Sequence, residues 1–339
     1  MIRLPKSARR VWPLMLMLVL MLAIGAYTST QSSAFLTTYN LNSLFLLALP
    51  LALVSMGQAS VLLVRGFDVS VGAVVGLCVV IASFTMTSGL AWYVIAAGML
   101  AVIGAGLVVG GVNAALVRRV RMPSIIATLA TLSILQGIGL ALRPVPAGIV
   151  DAGVSDSLLS GIGPVPFACL GVIVLAVGAD LWLYRTATGL IARGVGLDEN
   201  SARRLGMPLE RVQWGMFIAC AVMAALASLF VVAQVRVGDS TVGSGYTLQS
   251  IAAAVLGGAS LGGGKGSFFG AVVGALFLSL VINVLPLLGW GSDIGQITIG
   301  ALTLLALVLY QGSGFWTTLR DALLRLRPAR SGFNPGTLS

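Results

Sequence analysis

The chain is a succession of long apolar runs parted by short polar breaks that repeatedly carry Arg, Gly or Pro. Many runs approach the roughly 20 residues an α-helix needs to cross a hydrocarbon core of about 30 Å. A membrane β-barrel would instead show segments of about ten residues in which apolar and polar positions alternate. The pattern predicts spans at Trp12–Thr28, Leu41–Val64, Val69–Ser88, Ala91–Val117, Ser124–Leu142, Val165–Tyr184, Trp214–Val235, Thr247–Leu261, Phe268–Leu288 and Ile294–Tyr310. This is an all-α integral membrane protein, a polytopic bundle of about ten helices. Thr247–Leu261 is short and Gly-rich. A broken helix is the alternative there, because irregular backbone at membrane depth is tolerated where protein or water surrounds it.

Composition agrees, with 58% hydrophobic and 9% charged residues, against the about 25% charged of a soluble domain. The net charge of +10 would suggest nucleic acid in a soluble protein, but its placement gives another cause. When the connections alternate between two sides, all but two of the 20 Lys and Arg residues fall on one side. Only Arg143 and Arg236 fall on the other, beside Asp151, Asp156, Asp239 and Asp293. The positive-inside rule makes the Arg-rich side cytoplasmic, which puts both termini there. One span added or lost would move the later Arg clusters outside. The first span has the charges of a signal peptide, yet removing it would place the termini on opposite sides, so it reads as a retained anchor.

The chain reads as a single membrane domain over 1–339, with spans from about 12 to 311. Arg143–Pro164 is the longest external loop and, rich in Pro and Gly, is expected to be a mostly irregular outer cap. Arg185–Gln213 is the longest internal loop, and the tail 312–339 contains one candidate interfacial helix, Asp321–Leu326. The 43 glycines cluster in helices, among them Gly104, Gly106, Gly110 and Gly111, and Gly257, Gly258, Gly270 and Gly274. Small residues let helices approach closely in lipid, so packing is the expected role. The pentapeptide Gly-Ala-Val-Val-Gly occurs at Gly72 and again at Gly270; internal duplication and chance both remain open.

Groups for catalysis are scarce. The chain has no histidine, and its three cysteines, Cys78, Cys169 and Cys220, lie inside apolar runs without pairing or CxxC spacing. No metal site is expected. The stretch Gly262–Ser267, reading GGGKGS, lacks the spacing of a phosphate-binding loop and reads as a tight cytoplasmic turn. Asp180 sits toward the cytoplasmic end of its helix, where it can pair with Arg185 or reach the interface. Ion-coupled transporters usually carry midplane acids, and none is evident. The intramembrane polar residues are neutral, and Gln58, Asn113, Thr128, Gln249 and Asn283 are candidates for a path taken by a neutral, hydroxylated solute, since amides both donate and accept. Bridging between helices is the competing role for each.

Two segments stand out. In Arg65–Gly72, reading RGFDVSVG, Asp68 and Ser70 are placed to cap the following span. In Gly194–Val212, reading GVGLDENSARRLGMPLERV, Asp198, Glu199 or Asn200 can start a short helix through Ser201–Leu205, which Gly206 ends before Pro208. A polar helix between two spans has no core to serve, which suggests a docking surface for a cytoplasmic partner.

These segments carry a family resemblance. RGFDVSVG, with Gly66, Asp68, Ser70 and Gly72, resembles the G-[IF]-D-[LI]-S-V-G signature of the ribose/xylose/galactose permeases of bacterial ATP-binding-cassette (ABC) importers. The run Gly106–Leu140, the loop SARRLGMPLERV and the run Gly245–Leu276 are similar to that family in order and spacing. The loop departs from the common pattern, opening Gly196-Leu197-Asp198 where the family has G-x-N, and carrying Ser201-Ala202-Arg203-Arg204-Leu205 where the family has two alanines before Arg-Leu. The resemblance implies a type II-like importer permease for a monosaccharide, with 185–213 as its coupling loop. Asp198, Glu199, Asn200, Ala202, Arg203, Arg204, Leu205 and Gly206 would dock a cytoplasmic ATPase subunit. That subunit would bind ATP and Mg²⁺, leaving no cofactor in this chain and no enzymatic role for it. A periplasmic binding protein would deliver the sugar, and a second permease copy, identical or related, would complete the path among membrane lipids. Permeases for branched-chain amino acids, nucleosides or a furanosyl signal molecule are the alternative within the class; an ion-coupled transporter is the alternative outside it.

Overall fold

The computed structural model describes residues 8–310, without the side chains of 8–13, 292, 296 and 306–310. The expected tail 312–339, its helix Asp321–Leu326 and both chain ends lie outside the described residues. The described chain is helical almost throughout, in the order α1 (Ala8–Gln31), α2 (Thr38–Leu63), α3 (Val71–Thr85), α4 (Trp92–Arg118), α5 (Ser124–Leu142), α6 (Ala152–Leu159), α7 (Phe167–Arg185), α8 (Ala187–Leu197), α9 (Glu199–Arg204), α10 (Leu209–Val235), α11 (Tyr246–Leu256), α12 (Phe268–Leu287) and α13 (Ser292–Tyr310). Four short strands join it: β1 (Ala147–Ile149), β2 (Gly161–Ile162), β3 (Val165–Pro166) and β4 (Val237–Gly238).

Among the described residues, 7 helices are long and apolar enough to cross a membrane: α1, α2, α4, α5, α7, α10 and α12. The other expected spans coincide with α3, α11 and α13, whose apolar stretches are shorter. The 11-residue α11 is well below the expected Thr247–Leu261. It stops at Gly257 because Gly258 turns left-handed, with φ +96°, a conformation open to glycine.

Helix α2 is the central post. It is buried along most of its length and packs on α10, α12 and α11, while α10 also packs on α4 and α3. A helix apolar all round is suited to this position, and glycines let its neighbours close in. A Cβ on Gly57 would stand 2.8 Å from the Cys220 carbonyl oxygen of α10. Both Gly-Ala-Val-Val-Gly pentapeptides do this work. Gly72 and Gly76 of α3 lie against the Ser240–Gly243 backbone, and Gly270 and Gly274 of α12 against Gly257 and Ala253.

The outer loop departs from expectation. Arg143–Pro164 is ordered around α6, whose first turn is capped by the Asp151 carboxylate accepting from Val154 N at 3.2 Å. β1 pairs antiparallel with β4, and β2 with β3. Arg143 and Arg236, the two arginines expected outside, hold this cap. Arg236 pairs with Asp156 at 2.5 Å, and the Arg143 guanidinium lies 3.9 Å from the Phe84 ring centroid. Specific contacts, and not loop composition, decide the order here.

Asp180 has a different task from the one its sequence neighbourhood suggests. Its carboxylate caps α12, accepting from Phe268 N at 2.8 Å, Phe269 N at 3.2 Å and Ser267 Oγ at 2.6 Å. A carboxylate at a helix N-terminus satisfies free N–H groups and the helix dipole together. Asp180→Ala is expected to destabilise the protein by about 2 kcal/mol, read as a lower midpoint of thermal unfolding in detergent, with Asp180→Asn intermediate.

Candidate functional site

The chain between α7 and α10 folds into two helices set end to end. Thr186 caps α8 by accepting from Gly189 N at 3.1 Å. Asp198 caps α9, accepting from Asn200 N at 3.0 Å and from Ser201 Oγ at 2.5 Å. The Ser201 and Asn200 hydrogen bonds, with Arg65 nearby, hold the exposed Asp198 carboxyl below its ordinary value of 3.8. The cap is therefore ionised and fully formed above that value and is lost only as pH falls through the depressed one. Gly206, with φ +69°, ends α9, and Met207 N donates to Ala202 O at 3.0 Å. The short helix expected at this point is present, with Asp198 as its cap.

Helix α9 is held by a small buried contact and presents the rest outward. Ala202 packs with Val195 of α8 and Leu209 of α10. Arg203, Arg204 and Leu205 face out, Leu205 with 74% of its surface exposed. Glu199 takes Arg118 from the end of α4 and Arg203 from α9, both at 3.2 Å on the same oxygen.

Arg65 ties this region to the bundle. Its Nε donates to Gly262 O at 2.7 Å and its terminal nitrogen to Leu197 O, the residue before the α9 cap. Gly264 N donates to Leu63 O at 2.8 Å. Gly196 sits at the crossing, where a Cβ would meet Leu63 O at 1.8 Å. The GGGKGS turn is thus a clasp on the end of α2. Positive-inside counting registers Arg65 and Arg118 as charges but cannot see these contacts.

Behind the clasp, the RGFDVSVG segment forms a second junction. Asp68 is fully buried and accepts from Ser70 N at 2.8 Å, Ser70 Oγ at 2.6 Å and Asn113 Nδ2 of α4 at 3.3 Å. Asn113 also donates to Ser70 Oγ at 2.9 Å. Phe67 N donates to Ser124 Oγ and Val69 N to Thr128 Oγ1, each at 3.1 Å, both on α5. Thr247 of α11 donates to Val69 O at 3.2 Å. Burial raises the Asp68 carboxyl above its ordinary value, partly offset by these hydrogen bonds. The expectation that Asp68 and Ser70 cap α3 needs correcting: the Ser70 hydroxyl donates to Asp68, and the Asp68 carboxylate takes its backbone N–H from Ser70, the residue before the helix. Gly66 and Gly72 are close-approach positions, a Cβ on them meeting Val61 at 2.6 Å and Gly243 O at 2.5 Å respectively.

The five path candidates are not gathered in one place. Asn113 and Thr128 belong to the Asp68 junction. Asn283 exchanges hydrogen bonds with Asn40 of α2 at 3.0 and 3.1 Å, bridging α12 to α2. Gln249 is half-buried on α11, and Gln58 is fully buried on α2 with its amide unpartnered. None of the five lines either of two large cavities found among the described residues. One, of about 590 Å³, is an apolar groove among α2, α7, α8 and α10. The other, of about 470 Å³, is a polar crevice beside α9 lined by Arg65, Arg118, Arg121, Arg203, Glu199 and Glu210, together with Gln213.

Comparison with known proteins agrees with this architecture. The family described as "Branched-chain amino acid transport system / permease component" matches residues 40–307. Among curated relatives, the autoinducer 2 import system permease protein LsrC of Shigella flexneri is 34% identical over 307 residues, 88% of this chain and 85% of its own. The protein of that name from Enterobacter sp. (strain 638) is 32% identical, over 93% of this chain and 90% of its own. That from Salmonella typhi is 33% identical, over 96% and 90%. No solved structure matches the chain. With apolar spanning helices and a match from α2 into α13, the chain belongs to this permease family and is a multi-pass inner-membrane permease component of a bacterial ABC importer.

Proposed function

We propose that this permease carries a furanosyl, sugar-like solute of the autoinducer 2 kind, delivered by a periplasmic binding protein and driven by separate ATPase subunits docked on α9. The observation that carries the docking assignment is the outward Arg203–Arg204–Leu205 edge of a helix anchored inward by Ala202, Glu199 and Arg65. Arginine is enriched among the residues that dominate interfaces, and Leu205 adds exposed apolar surface directly after the Arg203–Arg204 pair. A push on α9 passes to α4 through Glu199–Arg118 and to α2 through Arg65–Leu197. The Asp68–Asn113 contact joins α4 to the segment between α2 and α3, so ATPase closure would move α4 together with the end of α2. Interfaces and packed cores respond to such small shifts by switching between discrete arrangements.

The solute assignment rests on the relatives' names and on the half-buried neutral amide of Gln249. A path between two permease copies would explain why one copy does not enclose Gln249. The branched-chain amino acid reading follows the family's printed description; competition of labelled autoinducer 2 uptake by ribose but not by leucine separates the two.

The docking experiment is co-purification in mild detergent, comparing wild type with the Glu199→Ala, Arg203→Ala, Leu205→Ala triple variant. The ATPase subunit is expected with wild type and reduced at least tenfold with the variant, which inserts normally. Equal recovery would remove α9 as the docking site.

A further inference from the structure

The polar crevice beside α9 has features that docking and coupling do not use. Among the described residues, three non-glycine positions have left-handed backbone, and two of them, Arg65 (φ 61°) and Arg121 (φ 63°), line this crevice. That conformation costs an L-residue about 1–2 kcal/mol, so each arginine is held there against a local penalty that glycine would escape. Arg65 spends its guanidinium on two carbonyls. Arg121 is exposed and makes no hydrogen bond or ion pair.

Two buried polar atoms in the wall also lack partners. Arg118 has only 15% of its side chain exposed and uses one terminal nitrogen on Glu199, leaving its Nε unpaired. Gln213, 7% exposed, has an unpaired Oε1. Buried polar groups are ordinarily satisfied. The pair here asks for opposite things: Arg118 Nε needs an acceptor, and Gln213 Oε1 needs a donor. Four guanidinium groups face two carboxylates, Glu199 and Glu210, so the crevice has a net positive field. Within it, Glu199 Oε1 is shared between two arginines, leaving each of them able to take a further acceptor.

We propose that this crevice binds a phosphate group carried on a hydroxyl-bearing molecule, with Arg121 and Arg118 on the phosphate and Gln213 accepting from a hydroxyl. Arginine's planar fork suits phosphate oxygens, and the hydroxyl supplies the donor that a bare anion lacks. Bound phosphate competes with Glu199 for Arg118. It therefore loosens the link between α9 and α4, which on the docking assignment above would weaken coupling from the cytoplasmic side. The binding itself does not depend on that assignment.

The test is calorimetric titration of the full-length permease in neutral-lipid nanodiscs with glucose 6-phosphate, inorganic phosphate and glucose. Glucose 6-phosphate is expected to bind, inorganic phosphate more weakly, and glucose not at all. Arg121→Gln is expected to weaken glucose 6-phosphate roughly tenfold, the loss of one charge-assisted contact. Glu199→Gln is expected to tighten it, because the competitor for Arg118 is removed, an outcome that a merely structural Glu199 would not give. Repeating the titration in discs containing phosphatidylglycerol separates two sources of the same chemistry. Retained binding assigns the site to a soluble phosphate, and binding abolished there alone assigns it to the lipid headgroup. Absence of glucose 6-phosphate binding in neutral discs, or binding indifferent to both substitutions, overturns the proposal. Since no ATPase is present in the titration, that failure is separate from a failure of the docking experiment.

Discussion

Gly270→Val is expected to abolish the stably folded permease, while Gly104→Val leaves it intact. Both residues lie in apolar helices rich in small side chains. At Gly270 a Cβ would stand 2.0 Å from the Gly257 carbonyl oxygen and 3.0 Å from its carbon, and the reciprocal Cβ on Gly257 would meet Gly270 at 2.2 Å. The obstruction is backbone on both sides, so no side chain can rotate away. One turn on, Gly274 makes the same approach to Ala253 O at 2.1 Å. Valine must therefore push α12 off α11 along the whole contact and break packing that lipid cannot replace, since helices in a bilayer associate through close fit. The expected loss exceeds about 3 kcal/mol, the upper part of the range for overpacked cores. At Gly104 nothing lies within 4 Å of the added carbon. The measurement is the fraction of each variant that elutes monodisperse in mild detergent after graded heating. Equal midpoints for the two variants would contradict the α11–α12 contact.

The second large effect is expected at Asp68. Asp68→Ala removes the acceptor for Ser70 N, Ser70 Oγ and Asn113 Nδ2 in a fully buried setting. Leaving such donors unpaired costs about 1–3 kcal/mol each, and some re-pair, so a loss of about 3–4 kcal/mol is expected. Asp68→Asn is expected to cost only about 1–2 kcal/mol. Its side-chain oxygen still accepts from Ser70. Its new NH₂ meets Asn113, whose Oδ1 is unpartnered in the wild type, so a rotated Asn113 amide can accept. Burial already disfavours the charged carboxylate, which makes the neutral isostere easier to bear. Thermal midpoints of the two variants, with Asn113→Leu as a third, give the check. An Asp68→Asn loss as large as that of Asp68→Ala would mean the negative charge itself is required.

The sequence by itself determined the class and the position of the short polar helix α9. Each follows from a local rule: apolar run length against bilayer thickness, and a capping acid and terminal glycine around a six-residue helix. Asp198 and Gly206 act within their own turn, so neighbouring residues suffice to read them. Tertiary structure decided everything that depends on a partner distant in the chain. Gly110 and Gly111 are indistinguishable in sequence, yet a Cβ on the first would meet Ile218 Cα at 2.6 Å and on the second nothing within 4 Å. Asp180 caps a helix that begins 88 residues later. Asn113, Thr128 and Asn283, read as candidates for a solute path, make hydrogen bonds that bridge segments within one copy. Arg65 and Arg121, counted first as topology signals, line a cavity. A side chain's type states which bonds it is able to make, whereas which bonds it does make depends on the helix brought against it, and in an apolar solvent that choice is made by backbone fit.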